Sequence, residues 1–286
     1  MSTEVSHISV TGGAVTGVRL AGGDSIRASA VVSNADFKST YIKLIDPSHL
    51  PQEWLDAVAS TRLTSSNLQV ALGVDSTLVD LSAFAESSRI IYMRDAPAGE
   101  TPRRPAWNSP EIAPDDLAGQ ELELALWSAH DRSLAPPGAD VVVIRTGADH
   151  AHFTRFRPGF RKRAPEYKAY KARLAQALVA EAGRVLPGLE KAVEVMDVAT
   201  PLTFEERGGR YAGAVAGWSQ RHEDVSDYSV RSLVLTPVKG LYAAGYQAFS
   251  WLYWGGVPSA VLSGAEAARA VLRGDGPVSA VTIPAS

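Results

Sequence analysis

The segment from Gly245 to Gly264, GYQAFSWLYWGGVPSAVLSG, places aromatic side chains beside a glycine pair at the start of a predicted helix. Gly255 and Gly256 precede Val257 and a proline, and small and apolar residues follow. A helix that begins at such a pair presents free backbone N–H groups and the positive end of its dipole. Because glycine has no Cβ, an electron-rich group can lie directly against the chain. The segment therefore predicts a binding site for such a group.

Other candidate sites are weaker. His150 and His152 would point to one side of a strand, and His130 or Asp131 could join them at a metal ion. Spacing places no third ligand, so we predict no metal site.

The run from Arg155 to Arg163 carries five positive charges in nine residues and could bind phosphate, lipid headgroups or an acidic partner, although a solvated face is the simpler interpretation. No G-x-S-x-G elbow occurs, and no catalytic base can be named.

Composition narrows the classes of function. The chain has 286 residues, 45% apolar and 21% charged, which is typical of a globular protein with a sizeable core. Its net charge of -3 gives no general attraction to nucleic acid. The absence of cysteine excludes disulfides, thiolate metal sites and cysteine nucleophiles. With neither a signal-peptide pattern nor an apolar run of roughly 18 residues, we expect a cytoplasmic protein without a membrane span, for which peripheral membrane contact stays possible.

Periodicity predicts a fold of α+β or α/β class. Residues 5–33 alternate and are interrupted by glycine pairs, which predicts a three-stranded meander. Short helices are predicted at 36–45 and 51–60, a long helix at 163–186, and a mixed central sheet from the segments SNLQVALGV, SRIIYM, ELELALWSA, ADVVVIRT and KAVEVMDVA. Residues 94–119 lack periodicity and predict a mobile flap or an insertion. GLYAAG predicts a buried parallel strand whose usual companions are missing. Residues 257–272 predict a helix that is apolar on nearly every side, which argues for deep burial under a cover that this chain does not supply.

Four segments, in this order, resemble the C-terminal half of phytoene desaturase-like FAD-dependent oxidoreductases, which include carotenoid desaturases, carotenoid isomerases and retinol saturases. They are GGAVTGVRLAGGDSIRASAVVSNAD (12–36), LAPPG (134–138), LPGLEKAVEVMDVATPLTFEERGGRYAGAVAGW (186–218), and GLYAAG with GGVPSAVLSG (240–264). The resemblance extends over nearly the whole chain. It implies an amine oxidase-like fold in which a mixed-sheet substrate-binding domain is flanked by partial FAD-binding, Rossmann-like elements.

The resemblance also assigns residues by position. It implies that FAD is bordered by Gly245, Tyr246, Gln247, Gly255, Gly256 and Val257, and that Val5 offers its backbone to the adenine. Substrate-lining positions would be Tyr211, Trp218, Phe249, Trp251 and Trp254, although these rings could instead pack as a core. The sequence departs from the family pattern where Tyr246 precedes Gln247 and Trp254 precedes the glycine pair.

The domains implied are a partial FAD-binding meander at 1–36, a substrate-binding domain at 37–237, the last FAD-domain strand and helix at 238–273, and a tail at 274–286.

No G-x-G-x-x-G turn occurs among the 24 glycines, so the element that holds the FAD pyrophosphate is absent from this sequence. We therefore expect weak FAD binding unless a partner subunit or a missing N-terminal half supplies that element.

Three explanations for the missing element stay open: a natural split enzyme, a fragment, or a degenerate homologue that serves as a small-molecule binding or partner-interaction module. For the first two, the resemblance implies hydride transfer to or from an unsaturated, apolar small molecule. The identity of this substrate, the direction of the reaction and the electron acceptor are not determined by the sequence.

Overall fold

The computed structural model describes residues 3–94, 112–215, 229–245 and 256–279. The chain forms two compact units, which we call the terminal unit (residues 1–64 and 209–286) and the central unit (residues 65–208). Strands and helices occur in both, so the fold is of mixed α/β class.

The elements are numbered in chain order. The strands are β1 (Val5–Thr11), β2 (Ala14–Leu20), β3 (Ser25–Arg27), β4 (Val31–Ser33), β5 (Ser66–Asp75), β6 (Arg89–Tyr92), β7 (Leu122–Leu126), β8 (Ala139–Ala148), β9 (Val193–Ala199) and β10 (Leu241–Ala243). The helices are α1 (Phe37–Ser39), α2 (Gln52–Ser60), α3 (Pro114–Leu117), α4 (His150–Thr154), α5 (Tyr167–Ala182), α6 (Leu189–Ala192), α7 (Pro201–Gly208), α8 (Val230–Val234) and α9 (Gly256–Arg273). A π-helical turn follows α1 at Thr40–Leu44, and 3-10 turns occur at Pro47–His49, Ser82–Phe84, Trp127–Ala129, Arg132–Leu134 and Tyr211–Gly213.

The terminal unit begins with the predicted meander, but its third strand divides. β1, β2 and β3 form an antiparallel sheet, and Gly12 and Gly13 turn the first hairpin with φ of 58° and 75°. The segment SIRASAVVS, predicted as one strand, contributes β3 to that sheet and β4 to another. β4 pairs in parallel with β10, so GLYAAG is a buried parallel strand as predicted and has β4 as its companion. A pairing between segments so distant in sequence leaves no local signal in either.

The helices after β4 pack against the meander. Tyr41 lies between Phe37 and Trp54, with ring centroids 5.6 and 5.8 Å away, and these rings share a core with Ile8 and Val15. This packing places residues 37–64 in the terminal unit, whereas the resemblance implied a domain boundary at 36/37. The implied boundaries stay a prediction about functional domains.

The central unit is built on a five-stranded sheet in the order β6-β7-β8-β5-β9. All of its strand pairs are antiparallel, so this sheet is not the mixed one predicted. Alternate residues of β5, from Leu68 to Val74, are buried in a core shared with Leu174 and Leu178 of α5. The intervening residues of β5, among them Ala71 and Gly73, are only half-buried on the opposite face.

The exposure of side chains bears on two other predictions, for residues 94–119 and for the last helix. Residues 95–111 of the predicted flap lie outside the described residues, but Ile112 and Leu117 have no exposed surface and belong to the central core. The end of that segment is therefore packed rather than mobile. The last helix is not deeply buried in this chain. Its buried face consists of small residues such as Ser263 and Ala267, while Val257 and Val261 are 76% and 64% exposed.

Candidate functional site

The ends of the two parallel strands in the terminal unit meet at Gly245. This residue follows β10 and has a φ of 85°, a left-handed conformation that favours glycine. A Cβ built on it would lie 1.5 Å from Oδ1 of Asn34, which follows β4. Because Ala243 pairs with Ser33, the parallel register brings Asn34 and Gly245 together. The position accepts only a residue without a side chain.

Ser259 and Ser263, in the first two turns of α9, connect this helix to Gly245 by hydrogen bonds. The backbone N–H of Gly245 donates to Oγ of Ser263 at 2.9 Å, and that hydroxyl donates to the carbonyl of Ser259 at 2.7 Å. Ser259 is fully buried, and its own Oγ has no hydrogen-bond partner among the described residues. The helix begins at Gly256, and the N–H groups of a first helical turn have no intrahelical acceptor. Val257, next in the chain, is largely exposed.

A buried carboxylate lies two residues after Asn34. Asp36 caps α1 by accepting a hydrogen bond from the backbone N–H of Ser39 at 3.0 Å, but its Oδ2 has no partner among the described residues. Burial raises the pKa of Asp36 above its ordinary value, although the backbone of Ser39, the backbone of Tyr211 and the charge of Lys43 oppose this shift. The backbone of Tyr211 therefore lies near this carboxylate, which follows the Asn34 segment in the chain.

Tyr211 is flanked by two cations. Nζ of Lys38 and Nζ of Lys43 each lie 5.7 Å from its ring centroid. Its neighbour Ala212 has a φ of 50°, which is uncommon for a residue with a side chain. Residues held in such conformations concentrate at ligand sites, so the loop suits a ligand-facing role.

The structure brings some of the predicted site residues together. Gly245, Gly256 and Val257 lie at the junction of β10 and α9, and Tyr211 is joined to it through Asp36 and the Asn34 segment. Val5 opens β1, where it pairs with Leu20 of β2. The remaining predicted residues, Tyr246, Gln247, Gly255, Trp218, Phe249, Trp251 and Trp254, lie outside the described residues. Asn34, Asp36 and the two serines were not predicted, although Asn34 and Asp36 fall within the motif at 12–36.

The histidine pair lies on a helix and not on a strand. Asp149 caps α4 by accepting a hydrogen bond from the backbone N–H of Ala151 at 2.8 Å. Residues two apart on a helix diverge, and His150 bonds to Glu205 at 2.7 Å while His152 bonds to Tyr170 at 2.6 Å. In the part of the chain that the structure describes, no group of three His, Cys, Asp or Glu residues could hold a metal ion.

The central unit carries an apolar groove that sequence reasoning missed. Gly73 of β5 pairs with Val141 on one side and Val195 on the other, so the absent side chain leaves a gap between two valines. Leu134 and Pro136 also line the groove, whose volume is about 350 Å³. A glycine in the middle of an alternating strand was the signal available for it.

Sequence and structure comparisons show what the chain is similar to. No protein-family model matches it. It is 27% identical over 248 residues to the inactive all-trans-retinol 13,14-reductase of Danio rerio, an alignment of 84% of this chain and 40% of that protein. It is 47% identical over 70 residues to the neurosporene-forming phytoene desaturase of Cereibacter sphaeroides, which is 24% of this chain and 13% of that protein.

Among solved structures, wild-type putrescine oxidase bound to putrescine superposes with a TM-score of 0.52 at 16% identity, covering 95% of this chain and 48% of that one. This likeness concerns the fold. The chain thus spans less than half the length of each of these proteins. In the described residues, no helix has both the length and the apolar character that crossing a membrane requires. These similarities in sequence confirm the predicted resemblance to the phytoene desaturase-like FAD-dependent oxidoreductases.

Proposed function

We propose that this chain supplies the ring-side surface and the substrate-binding part of an FAD-dependent oxidoreductase, while a second stretch of polypeptide holds the nucleotide of FAD. The observation that carries the proposal is the junction of Gly245, Asn34 and the N-terminus of α9. It combines the positive end of a helix, whose first amides have no intrahelical acceptor, with a strand end that contacts the same helix through Ser263. These features suit the electron-rich edge of a flavin ring.

The residues at this junction suit the flavin ring of FAD, but the chain has no element suited to its pyrophosphate. Gly245, Gly256 and Val257 would border the ring, and Tyr211 with its two lysines would lie toward the ligand. For the pyrophosphate the sequence has no G-x-G-x-x-G turn, so a partner subunit or an N-terminal half must provide it. When bound, the flavin would accept or donate a hydride. This chain's residues would position the ring, hold the substrate and exclude water.

We propose an unsaturated, apolar small molecule as the substrate. The gap between Val141 and Val195, with Leu134 and Pro136 in its lining, offers mainly apolar contacts. The polar lining consists of three carboxylates, those of Asp140, Glu194 and Asp197. Ligand pockets are commonly built this way, with few polar groups. The names of the relatives, an inactive retinol reductase and a phytoene desaturase, support the same class.

We also propose that the nucleotide-holding polypeptide covers the exposed apolar side of the terminal unit. Val32 of β4, Val257 and Val261 are exposed, whereas parallel sheets are normally covered on both faces. The relatives are more than twice as long as the aligned part of this chain, which leaves room for such a polypeptide in them. An interface of this kind should be large and apolar.

A second candidate function is a non-catalytic module that binds an apolar ligand or a protein partner. The groove at Gly73 favours it, because its lining lies wholly within the central unit. The printed name of the Danio rerio relative, an inactive reductase, is in keeping with such a role. This candidate predicts ligand binding without any uptake of flavin.

The first turn of α9 gives a direct test. In the chain combined with a G-x-G-x-x-G polypeptide, as a candidate subunit or fused at the N-terminus, Val257→Glu should reduce flavin uptake, because it sets a negative charge beside the electron-rich ring edge. Leu272→Glu is the matched control, since Leu272 is exposed at the opposite end of the same helix. Quenching of flavin fluorescence measures uptake. Equal uptake by both variants and the parent protein would refute the assignment of the α9 N-terminus to the flavin.

A further inference from the structure

A second cavity, of about 560 Å³, lies in the central unit at the start of α5, beside β9 and α7. Four cations line it: Arg161, Arg163, Lys171 and Arg207. Two carboxylates, Asp197 and Glu206, line it as well. The cavity therefore carries two net positive charges. It shares only Asp197 with the lining of the apolar groove at Gly73 and no residue with the α9 junction.

One of the cations is fully neutralised. Arg163 donates from its two terminal nitrogens to the two oxygens of Glu206, at 3.0 and 2.9 Å. Burial opposes ionisation of Glu206, but this pair and the backbone N–H of Arg161 hold the pKa of Glu206 below its ordinary value. The pair forms one fixed wall of the cavity and leaves Arg161, Lys171 and Arg207 facing a single carboxylate.

The remaining cations repel one another. Lys171 is half-buried, and its Nζ donates one hydrogen bond, to the carbonyl of Val198 at 3.0 Å. Burial lowers the pKa of Lys171, Arg207 and Arg163 lower it further, and Asp197 raises it. Among the described residues Arg207 makes no ion pair. A bound anion would relieve this repulsion.

An aromatic ring forms another wall. The guanidinium of Arg163 and Nζ of Lys171 lie 5.2 and 5.8 Å from the ring centroid of Tyr167. The Tyr167 hydroxyl is 2.7 Å from Oγ1 of Thr200 in the core, so the ring is held in place. A ligand in this cavity would meet cations and an aromatic surface together.

We propose that this cavity binds a phosphate monoester, with the doubly charged phosphate among Arg161, Lys171 and Arg207 and the organic part against Tyr167. Arginine forks match phosphate oxygens in geometry, and a dianion offsets two positive charges. The volume exceeds what a phosphate alone needs. The ester is carried either by a small soluble molecule or by a lipid headgroup, and both present the same chemistry.

Calorimetry of the full chain with phenyl phosphate tests the site. Arg161→Gln and Arg207→Gln alter exposed residues, so both variants should fold, and each should weaken binding about tenfold. Lys191→Gln removes the same charge from an exposed position outside the cavity and should bind like the parent chain. Because the second pKa of a phosphate monoester is about 6, affinity should also fall as the pH is lowered from 7 to about 5.

Two further measurements complete the test. Sedimentation with phosphatidylcholine vesicles, with and without phosphatidic acid, identifies the source: binding lost in Arg207→Gln but kept in Lys191→Gln points to a lipid, and phenyl phosphate binding without vesicle binding points to a soluble ester. Absence of phenyl phosphate and vesicle binding, or an equal loss in Lys191→Gln, would overturn the proposal, the latter outcome indicating a general charge effect.

Discussion

At the scale of single residues, Gly245 connects the fold to the proposed chemistry. Its left-handed backbone turns the chain away from β10, and its amide bonds to Ser263 of α9. Any side chain there would collide with Asn34. The absence of a side chain at this buried position makes room for Asn34 and lets β10 pack against α9. Gly245 therefore sets the geometry of the junction at which we propose the flavin ring.

Gly245→Ala should destabilise the chain by about 2–4 kcal/mol, the combined cost of a left-handed alanine and of displacing Asn34. Urea unfolding followed by circular dichroism measures the change. Gly264→Ala is the matched control, since it lies inside α9 with open space around it and should stabilise by about 0.5–1 kcal/mol. Equal stability of Gly245→Ala and the parent chain would show that the junction is not as tightly built as described.

Gly73 plays the corresponding role in the apolar groove. A Cβ at this position would lie 3.5 Å from Cβ of Val195, an ordinary contact, so a side chain can enter without distorting the sheet. Gly73→Leu should therefore fill the groove and weaken binding of all-trans-retinol, used as an apolar probe, about tenfold or more. Retinol fluorescence reports the binding.

The control for this substitution is Gly147→Leu. Gly147 lies on β8 of the same sheet, outside the groove and with nothing near its Cβ position, so retinol affinity should be unchanged. If the two leucine variants lose affinity equally, or if the parent chain does not bind retinol, the groove is not the substrate surface.

At the scale of elements, short stretches of sequence predicted the strands, helices and turns whose formation depends on their own residues. The apolar and β-branched segments predicted as strands form β5 and β8, and the helical spacing of α5 and the paired glycines of the first hairpin also appear in the structure. The division of SIRASAVVS did not follow from its alternation, because β4 is defined by its pairing with β10. The helix at His150 was missed although Asp149, a good capping residue, stands directly before it.

Part of the candidate site could also be predicted from the sequence. The glycine at the end of β10 and the first turn of α9 were recognisable from their sequence, since both carry backbone requirements. Asn34, Ser259 and Ser263 could not be recognised from local sequence, because their role depends on contacts between segments far apart in the chain. The composition of α9 predicted a helix that needs a cover, and within this chain Val257 and Val261 are exposed. What covers them could not be predicted, because composition describes the helix and not its neighbours.

Within the central unit, Asp140 anchors the start of β8. Its carboxylate accepts hydrogen bonds from the hydroxyls of Ser76 and Ser128, each at 2.6 Å, and pairs with Arg132. Burial raises its pKa, but these bonds together lower the pKa below the ordinary 3.8. A carboxyl with a lowered folded-state pKa stabilises the fold above its ordinary pKa, and this contribution is lost as the pH falls through the folded-state value.

Asp140→Asn should therefore destabilise the chain at pH 7 by about 1–3 kcal/mol. Its difference from the parent chain should stay constant down to pH 4 and shrink below it. Urea unfolding across this range measures the difference. Asp131→Asn, an exposed cap in the same region, should have a much smaller effect. A difference that is independent of pH below 4 would contradict the assigned role of the Asp140 charge.

At the scale of the whole molecule, the two compact units carry different functions in this account. The terminal unit offers the junction for a flavin ring and leaves Val32, Val257 and Val261 uncovered. The central unit offers the apolar groove and the cationic cavity. Neither unit contains the dinucleotide-binding turn, and the alignments with the two relatives cover only 40% and 13% of their lengths. The account therefore requires FAD binding to depend on additional polypeptide.

Flavin retention after gel filtration tests this requirement most directly. The chain is incubated with FAD, alone and together with a G-x-G-x-x-G polypeptide, and absorbance is recorded in the flavin bands across the eluted peaks. The account predicts a colourless peak for the chain alone and a yellow, co-eluting complex for the mixture. Stoichiometric FAD retained by the chain alone, or a colourless chain that never co-elutes with any such polypeptide, would contradict it.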